Sequence, residues 1–239
     1  MAVPERRRLL IEAAERVFVE LGYSAAGTSD IARRAGMSKK TLYSLFDSKE
    51  SLFAAVIAAR RESMEPAQIG KADCCSTAEI ERVLCRYVGK LARFILAPRQ
   101  AALYRLVIAE AHRAPELSRA FYREGPEKAR APLTGWLHEL HASGALHIAD
   151  PANAAAMLIS MAIAQLHMRM LMMGECESVK VQSIDGCVKQ AVAVFLEGTA
   201  RADSSNKVAG PDRGSALSRG RHGDGLNALN RRLRSDGNH

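Results

Sequence analysis

The sequence predicts an all-α fold: an N-terminal three-helix unit holding a helix-turn-helix, followed by a larger helical domain. Three observations carry that reading. Apolar residues recur at i, i+3 and i+7 spacings along most of the chain, and no stretch alternates as a half-buried strand would. Capping residues, glycines and prolines divide the chain into helix-sized pieces. A short basic segment, residues 38–46, follows a glycine turn and can lie on a surface.

The first helix follows from Leu10, Ala13, Val17, Phe18 and Leu21, one apolar stripe that Gly22 stops. Thr28-Ser29-Asp30 supplies side-chain oxygens that can cap a second, short helix, which Gly36 ends. Ser38 opens a third, residues 39–46, basic on one side and apolar through Leu42, Leu45 and Phe46. Asp47 with Glu50 reads as a capping box and introduces Leu52, Phe53, Val56 and Ile57 on one face of a helix reaching about Met64. Pro66 and Gly70 then loosen the chain.

Ser76 and Glu79 make another capping box, ahead of Ile80, Leu84, Tyr87, Val88, Leu91 and Ile95, and Pro98 ends that run. Further helices are expected over 100–111, 116–123, 127–143, 152–172 and 179–200, with Asp150-Pro151 as cap and first-turn proline of the penultimate one. From Arg201 onward Ser, Asn, Gly, Asp and Arg dominate with no aromatic residue to bury, which predicts disorder. The expected organisation is a helix-turn-helix domain over 1–50, a helical domain over 51–201 and a basic tail over 202–239.

A chain of 239 residues, 48% hydrophobic and 25% charged, has the material for two soluble globular domains. Its formal charge of +8 favours a polyanionic partner, because neutralising phosphates releases counterions. Part of that excess is in the tail, where Lys207, Arg213, Arg219, Arg221, Arg231, Arg232 and Arg234 outnumber the aspartates. Cys74, Cys75, Cys85, Cys176 and Cys187 form an odd set without a CxxC pair, which argues against a disulfide framework and fits a reducing cytoplasm. The N-terminus lacks the apolar core of a signal peptide. Residues 154–173 are long and apolar enough to raise a membrane span, yet Gln165, His167 and Arg169 interrupt them, and an intramembrane Arg is costly. A buried helix, and no membrane partner, is expected.

Residues 28–46 meet the demands of a helix-turn-helix. Ala32 and Ala35 let the helices approach, Gly36 permits the turn, Met37 and Leu42 pin the second helix to a core, and Ser38 caps it. Lys39, Lys40, Thr41, Tyr43 and Ser44 remain to face a groove: ammonium groups for guanine edges or phosphates, hydroxyls for phosphate, and an aromatic body for a thymine methyl. Lys49, at the start of the next helix, is placed for a phosphate oxygen. A three-helix bundle with a solvated basic face is the plainer alternative.

The run Thr28-Ser-Asp-Ile-Ala-Arg-Arg-Ala-Gly-Met-Ser-Lys-Lys-Thr-Leu-Tyr-Ser-Leu-Phe-Asp-Ser-Lys-Glu-Ser-Leu-Phe53, within residues 8–53, resembles the DNA-binding signature of the TetR family of bacterial transcriptional regulators. The resemblance implies a homodimer that sets two recognition helices into successive major grooves of double-stranded DNA at a pseudo-palindromic operator. It places phosphate contacts at Thr28, Thr41, Tyr43 and Lys49, with Ser38, Lys39, Lys40 and Ser44 beside them. Leu45 departs from the family pattern, which carries a polar or aromatic residue there.

It further implies that the second domain binds a small-molecule effector and dimerises through its last two helices. Ala154, Ala155, Ala162 and Ala164 would allow close approach, with Met157, Met161, Ile184, Val188, Ala191 and Phe195 giving burial and helix 179–200 favoured as the interface. Tyr104, His112, Tyr122, Trp136, Gln165, His167 and Met168, polar or adaptable groups on apolar helices, are candidate pocket lining. Repression relieved by the effector is the family expectation.

The remaining constellations are weaker. His138 and His141 share a helix face with Glu139 or His112 in range, but a metal needs three or four convergent donors, so no metal or cofactor is expected. Cys74, Cys75 and Cys85 could form a thiol sensor, without a visible source of lowered pKa. No nucleophile elbow, phosphate-cradling loop or zinc-protease motif appears, so an enzyme is not expected. A basic adaptor protein would leave the 28–53 signature unexplained.

Overall fold

The computed structural model describes residues 2–64, 69, 76–173 and 181–199, all within one unit spanning residues 1–201. The tail, Cys74, Cys75 and Cys176 lie outside the described residues. Every regular element among those described is helical. In order they are α1 (Val3–Leu21), α2 (Thr28–Arg34), α3 (Lys39–Leu45), α4 (Lys49–Glu62), α5 (Thr77–Ile95), α6 (Pro98–Glu110), α7 (Pro115–Tyr122), a π turn (Arg123–Glu127), α8 (Lys128–Ala142), α9 (Pro151–Met173) and α10 (Val181–Thr199).

The expected caps were partly misplaced. Thr28, Ser29 and Asp30 are inside the first turn of α2, whose N-cap is Gly27, and Asp30 instead pairs with Arg33 at 2.7 Å. The α4 box falls one residue later than expected, Ser48 with Ser51, because Ser48 is the last residue with extended backbone. The Ser76–Glu79 box forms as expected, and Asp150 Oδ1 accepts from the amides of Ala152 and Asn153. Pro98 opens α6 rather than closing α5, which already ends at Ile95. The helices expected over 116–123 and 127–143 appear as α7 and α8, joined by a π turn that contains Pro126.

Two buried clusters organise the unit. One collects Leu10, Phe18, Ile31, Leu42, Leu52 and Phe53 from α1–α4, together with Leu103 and Val107 of α6 and Leu117 and Phe121 of α7. The other joins α5, α8, α9 and α10 through Leu84, Val88, Trp136, Leu158, Val188 and Phe195. Tyr104 of α6 packs against both. The helix-turn-helix therefore shares its core with α6 and α7, which gives the two clusters a mechanical connection.

The assignment of α10 to an interface needs correction in its residues. Ile184, Val188, Ala191 and Phe195 are buried against α5 and α9 inside the protomer, as are Ala155 and Ala162 of α9. Their apolar surface is already covered, leaving Met157, Met161, Met168 and Met172 of α9 and Val194 of α10 exposed. Helix α9 has the length and hydropathy of a membrane span, but Leu158, Ile163, Leu166 and Met170 are buried within the unit.

Candidate nucleic-acid interface and buried cavity

The turn between α2 and α3 is fixed by backbone chemistry. Gly36 adopts φ 67°, a left-handed conformation that favours glycine. Its amide donates to the Arg33 carbonyl at 3.0 Å and that of Met37 to the Ala32 carbonyl at 2.8 Å, a paired closure of the α2 C-terminus. The Ser38 hydroxyl then accepts from the Thr41 amide at 3.1 Å and starts α3. Leu42, fully buried, anchors the helix, and Leu45 is half-buried against the same core.

Anchoring through Leu42 turns Ser38, Lys39, Lys40, Tyr43 and Ser44 outward, all exposed, with Thr41 half-buried among them. Tyr43 is held rather than free: its hydroxyl is 3.2 Å from Thr28 Oγ1, and Lys39 Nζ stands 5.7 Å from its ring centroid. This surface offers two ammonium groups and several hydroxyls, and α3 carries no acidic residue. Arg7 of α1 steadies the far end, donating to the Leu45 carbonyl at 3.1 Å and lying over the Phe46 ring.

Lys49 is placed differently from the others. Its ammonium donates to the Tyr23 carbonyl at 2.8 Å, with the Ala26 and Ser24 carbonyls at 3.3 and 3.4 Å, and lies 4.5 Å from the Tyr23 ring centroid. It closes the α1–α2 turn from beneath. Glu110, at the end of α6, accepts from the Ser24 hydroxyl and amide of the same turn. The Ser24 hydroxyl bond holds the Glu110 carboxyl below its usual pKa. Gly22 belongs to this junction: φ is 82°, and a Cβ there would stand 3.0 Å from Glu110 Oε1.

Behind α4 lies a cavity of about 190 Å³. Ile57, Leu91, Phe94, Ile95 and Ile163 give it apolar walls; Gly125 and Pro126 of the π turn form one side. Its polar lining comprises Arg60, Arg61, Gln100, Tyr104, Arg130, Ser160 and His167, with no carboxylate. Arg60 Nε, Gln100 Oε1 and His167 Nε2 are buried without a hydrogen-bond partner. Burial pushes the Tyr104 phenol up to about 12 and the His167 imidazole down, so both are neutral near pH 7.

Of the expected pocket residues, the structure brings Tyr104 and His167 together here, rings packed edge to face at 4.5 Å. Trp136 is buried in the core but does not line the cavity. His112, Tyr122, Gln165 and Met168 are exposed and outside it. Among the described residues no three His, Cys, Asp or Glu side chains gather as metal ligands, and His141 Nδ1 accepts from the Ile148 amide at 3.3 Å. Burial raises the Cys85 thiol above its usual pKa, the wrong direction for a reactive thiolate.

Comparison with known proteins bears on both parts. Residues 10–56 match the family described as bacterial regulatory proteins, tetR family, and residues 82–198 match the AefR-like transcriptional repressor, C-terminal domain. The chain belongs to the TetR family. Over 53 residues this TetR-family regulator is 55% identical to the HTH-type transcriptional activator FasR of Mycolicibacterium smegmatis, a match covering 22% of this chain and 24% of FasR. The chain spans about a quarter of the length of the curated relatives it matches. Solved structures align more fully. The flavonoid-responsive regulator FrrA is 28% identical with TM-score 0.71, covering 84% of this chain and all (100%) of that one. A protein of Mesorhizobium loti described as a TetR-family transcriptional regulator is 25% identical with TM-score 0.72, at the same coverages.

Sequence reasoning missed several residues of this TetR-family chain that the structure makes central. Arg7 read as one of three consecutive arginines, with nothing to single it out. Arg60 and Arg61 lie in the last turn of α4, where basic residues ordinarily complement the helix dipole. Gln100, a polar residue beside two alanines on an apolar helix, was the one available signal.

Proposed function

We propose that this transcriptional regulator is a repressor that binds a pseudo-palindromic operator as a homodimer and is released by a small-molecule effector held in the cavity behind α4. The observation that carries the reading is α3: a capped, buried-anchored helix whose exposed side presents Lys39, Lys40, Tyr43 and Ser44. The repressor description of the matched C-terminal domain supports the sign of the regulation. A relative named for responding to flavonoids supports an effector.

A second copy of the chain suits the exposed apolar stripe on α9. Met157, Met161, Met168 and Met172 recur at helical spacing and are 44–76% exposed, with Val194 of the adjacent α10 52% exposed. A two-fold contact here is self-complementary, as a homodimer requires. Effector binding acts on DNA affinity only through a difference in affinity for the two arrangements of the paired heads.

Selecting genomic fragments on the full chain, then titrating a selected fragment by mobility shift, tests the reading. Expected is a specific complex that outlasts competitor DNA and carries two protected half-sites about one helical turn apart. Binding to all fragments alike, lost uniformly as salt rises, would leave only a basic surface.

A further inference from the structure

The cavity's electrostatics say more about the effector than its shape does. Its lining contains three guanidiniums, Arg60, Arg61 and Arg130, and no acid. Arg60 Nε itself faces Glu15 Oε1 of α1 at 3.7 Å, too long for a hydrogen bond, while Arg99 holds Glu15 through both oxygens at 2.6 and 2.7 Å. One buried carboxylate is therefore shared by two cations, and Arg60 Nε faces it without a hydrogen bond. Buried polar groups left unpaired are costly, and a cationic donor is costliest.

Resting on the proposed effector role of this cavity, we infer that the effector is a compact organic carboxylate, its acid group taken by Arg60 and its apolar body seated between α5 and α9. A planar guanidinium fits a carboxylate through two parallel hydrogen bonds, which would complete the charge balance that Glu15, shared with Arg99, leaves unfinished. Size limits the body. A dry cavity of about 150 Å³ accepts a benzene ring, so about 190 Å³ accepts one ring with a short chain. Arg60 also has a place in signalling: an anion that captures it draws it from Glu15 on α1, and α4 carries Lys49 beneath the α1–α2 turn at its other end.

Calorimetric titration of the full chain with phenylpropanoate, phenylpropanamide and phenylpropylamine tests the charge assignment, because the three share one body. The carboxylate is expected to bind at least about tenfold tighter than the amide, with no measurable binding of the amine. In Arg60→Gln that preference is expected to collapse while amide affinity stays within about twofold; Arg60→Lys, which keeps the charge and loses the paired donors, serves if Arg60→Gln fails to fold, with the preference expected to weaken. Amide or amine binding as tightly as the acid, or no binding by any of the three, overturns the inference. So does an acid preference that survives undiminished in the variant that folds. Mobility shift with a selected operator fragment separates this from the functional reading. An amide that releases DNA as well as the acid refutes the carboxylate and leaves effector release standing. An acid that binds through Arg60 without releasing DNA supports the carboxylate and counts against release.

Discussion

Replacing Lys49 by Met keeps the aliphatic stem and removes the ammonium that joins the carbonyls of Tyr23, Ser24 and Ala26. The short bond to Tyr23, at 2.8 Å, is the one that counts in full. A hydrogen bond from a charged donor contributes about 1.5–3 kcal/mol and a partly exposed cation–π contact about 0.5–1. Water can replace some of this at a half-exposed site, so a net loss of about 2 kcal/mol is expected. For a domain of this size that lowers Tm by roughly 4–8 °C. Thermal denaturation followed by circular dichroism measures the shift, and operator titration at several salt concentrations measures the DNA side. If Lys49 acts by shaping the turn, affinity falls together with stability. An unchanged Tm with the salt slope reduced by about one phosphate would refute this and favour direct phosphate contact alone.

Lys40→Ala, at an exposed position on α3, is expected to leave Tm unchanged and to reduce both operator affinity and its salt slope by about one contact; mobility shifts at varied salt measure this. Gly36→Ala meets no atom within 4 Å, so its cost is that of the left-handed backbone alone, about 1 kcal/mol, read by denaturant titration. Met161→Asp, on the exposed face of α9, is expected to shift sedimentation toward the monomer while helicity stays the same. His167 is held neutral by burial, with its folded pKa below the unfolded value. Its contribution to stability is therefore complete above the unfolded pKa and is lost as pH falls below it. His167→Leu is expected to gain on the wild type in Tm as pH drops from about 7 to 5.

The three-helix head was legible in the sequence because its determinants are local. Gly36, Ser38 and Leu42 each act within a few residues of the chain, and the turn, cap and anchor they specify are those observed. Cap positions slipped by a residue where serine and aspartate stand side by side, as at Asp47-Ser48, since either oxygen can serve and the backbone decides. The π turn that joins α7 to α8 around Pro126 has no local signal in the sequence. The cavity was mostly illegible. Arg60 and Gln100 meet only when α4 and α6 fold together, and α9 hides its true exposed stripe by being apolar on nearly every side. Lys49 stands at a position expected to meet a phosphate, and nothing in the sequence signals that its ammonium also holds carbonyls of the α1–α2 turn.

In the proposed function α3 reads DNA and occupancy of the cavity behind α4 controls it. The most direct measurement of this is a footprint of the full chain on a selected genomic fragment, with and without phenylpropanoate, for the wild type and for Lys39→Ala/Lys40→Ala. Expected are two protected half-sites about one helical turn apart, lost in the double variant and lost on addition of the carboxylate. Protection that survives removal of both lysines, or that no cavity ligand alters, would contradict it.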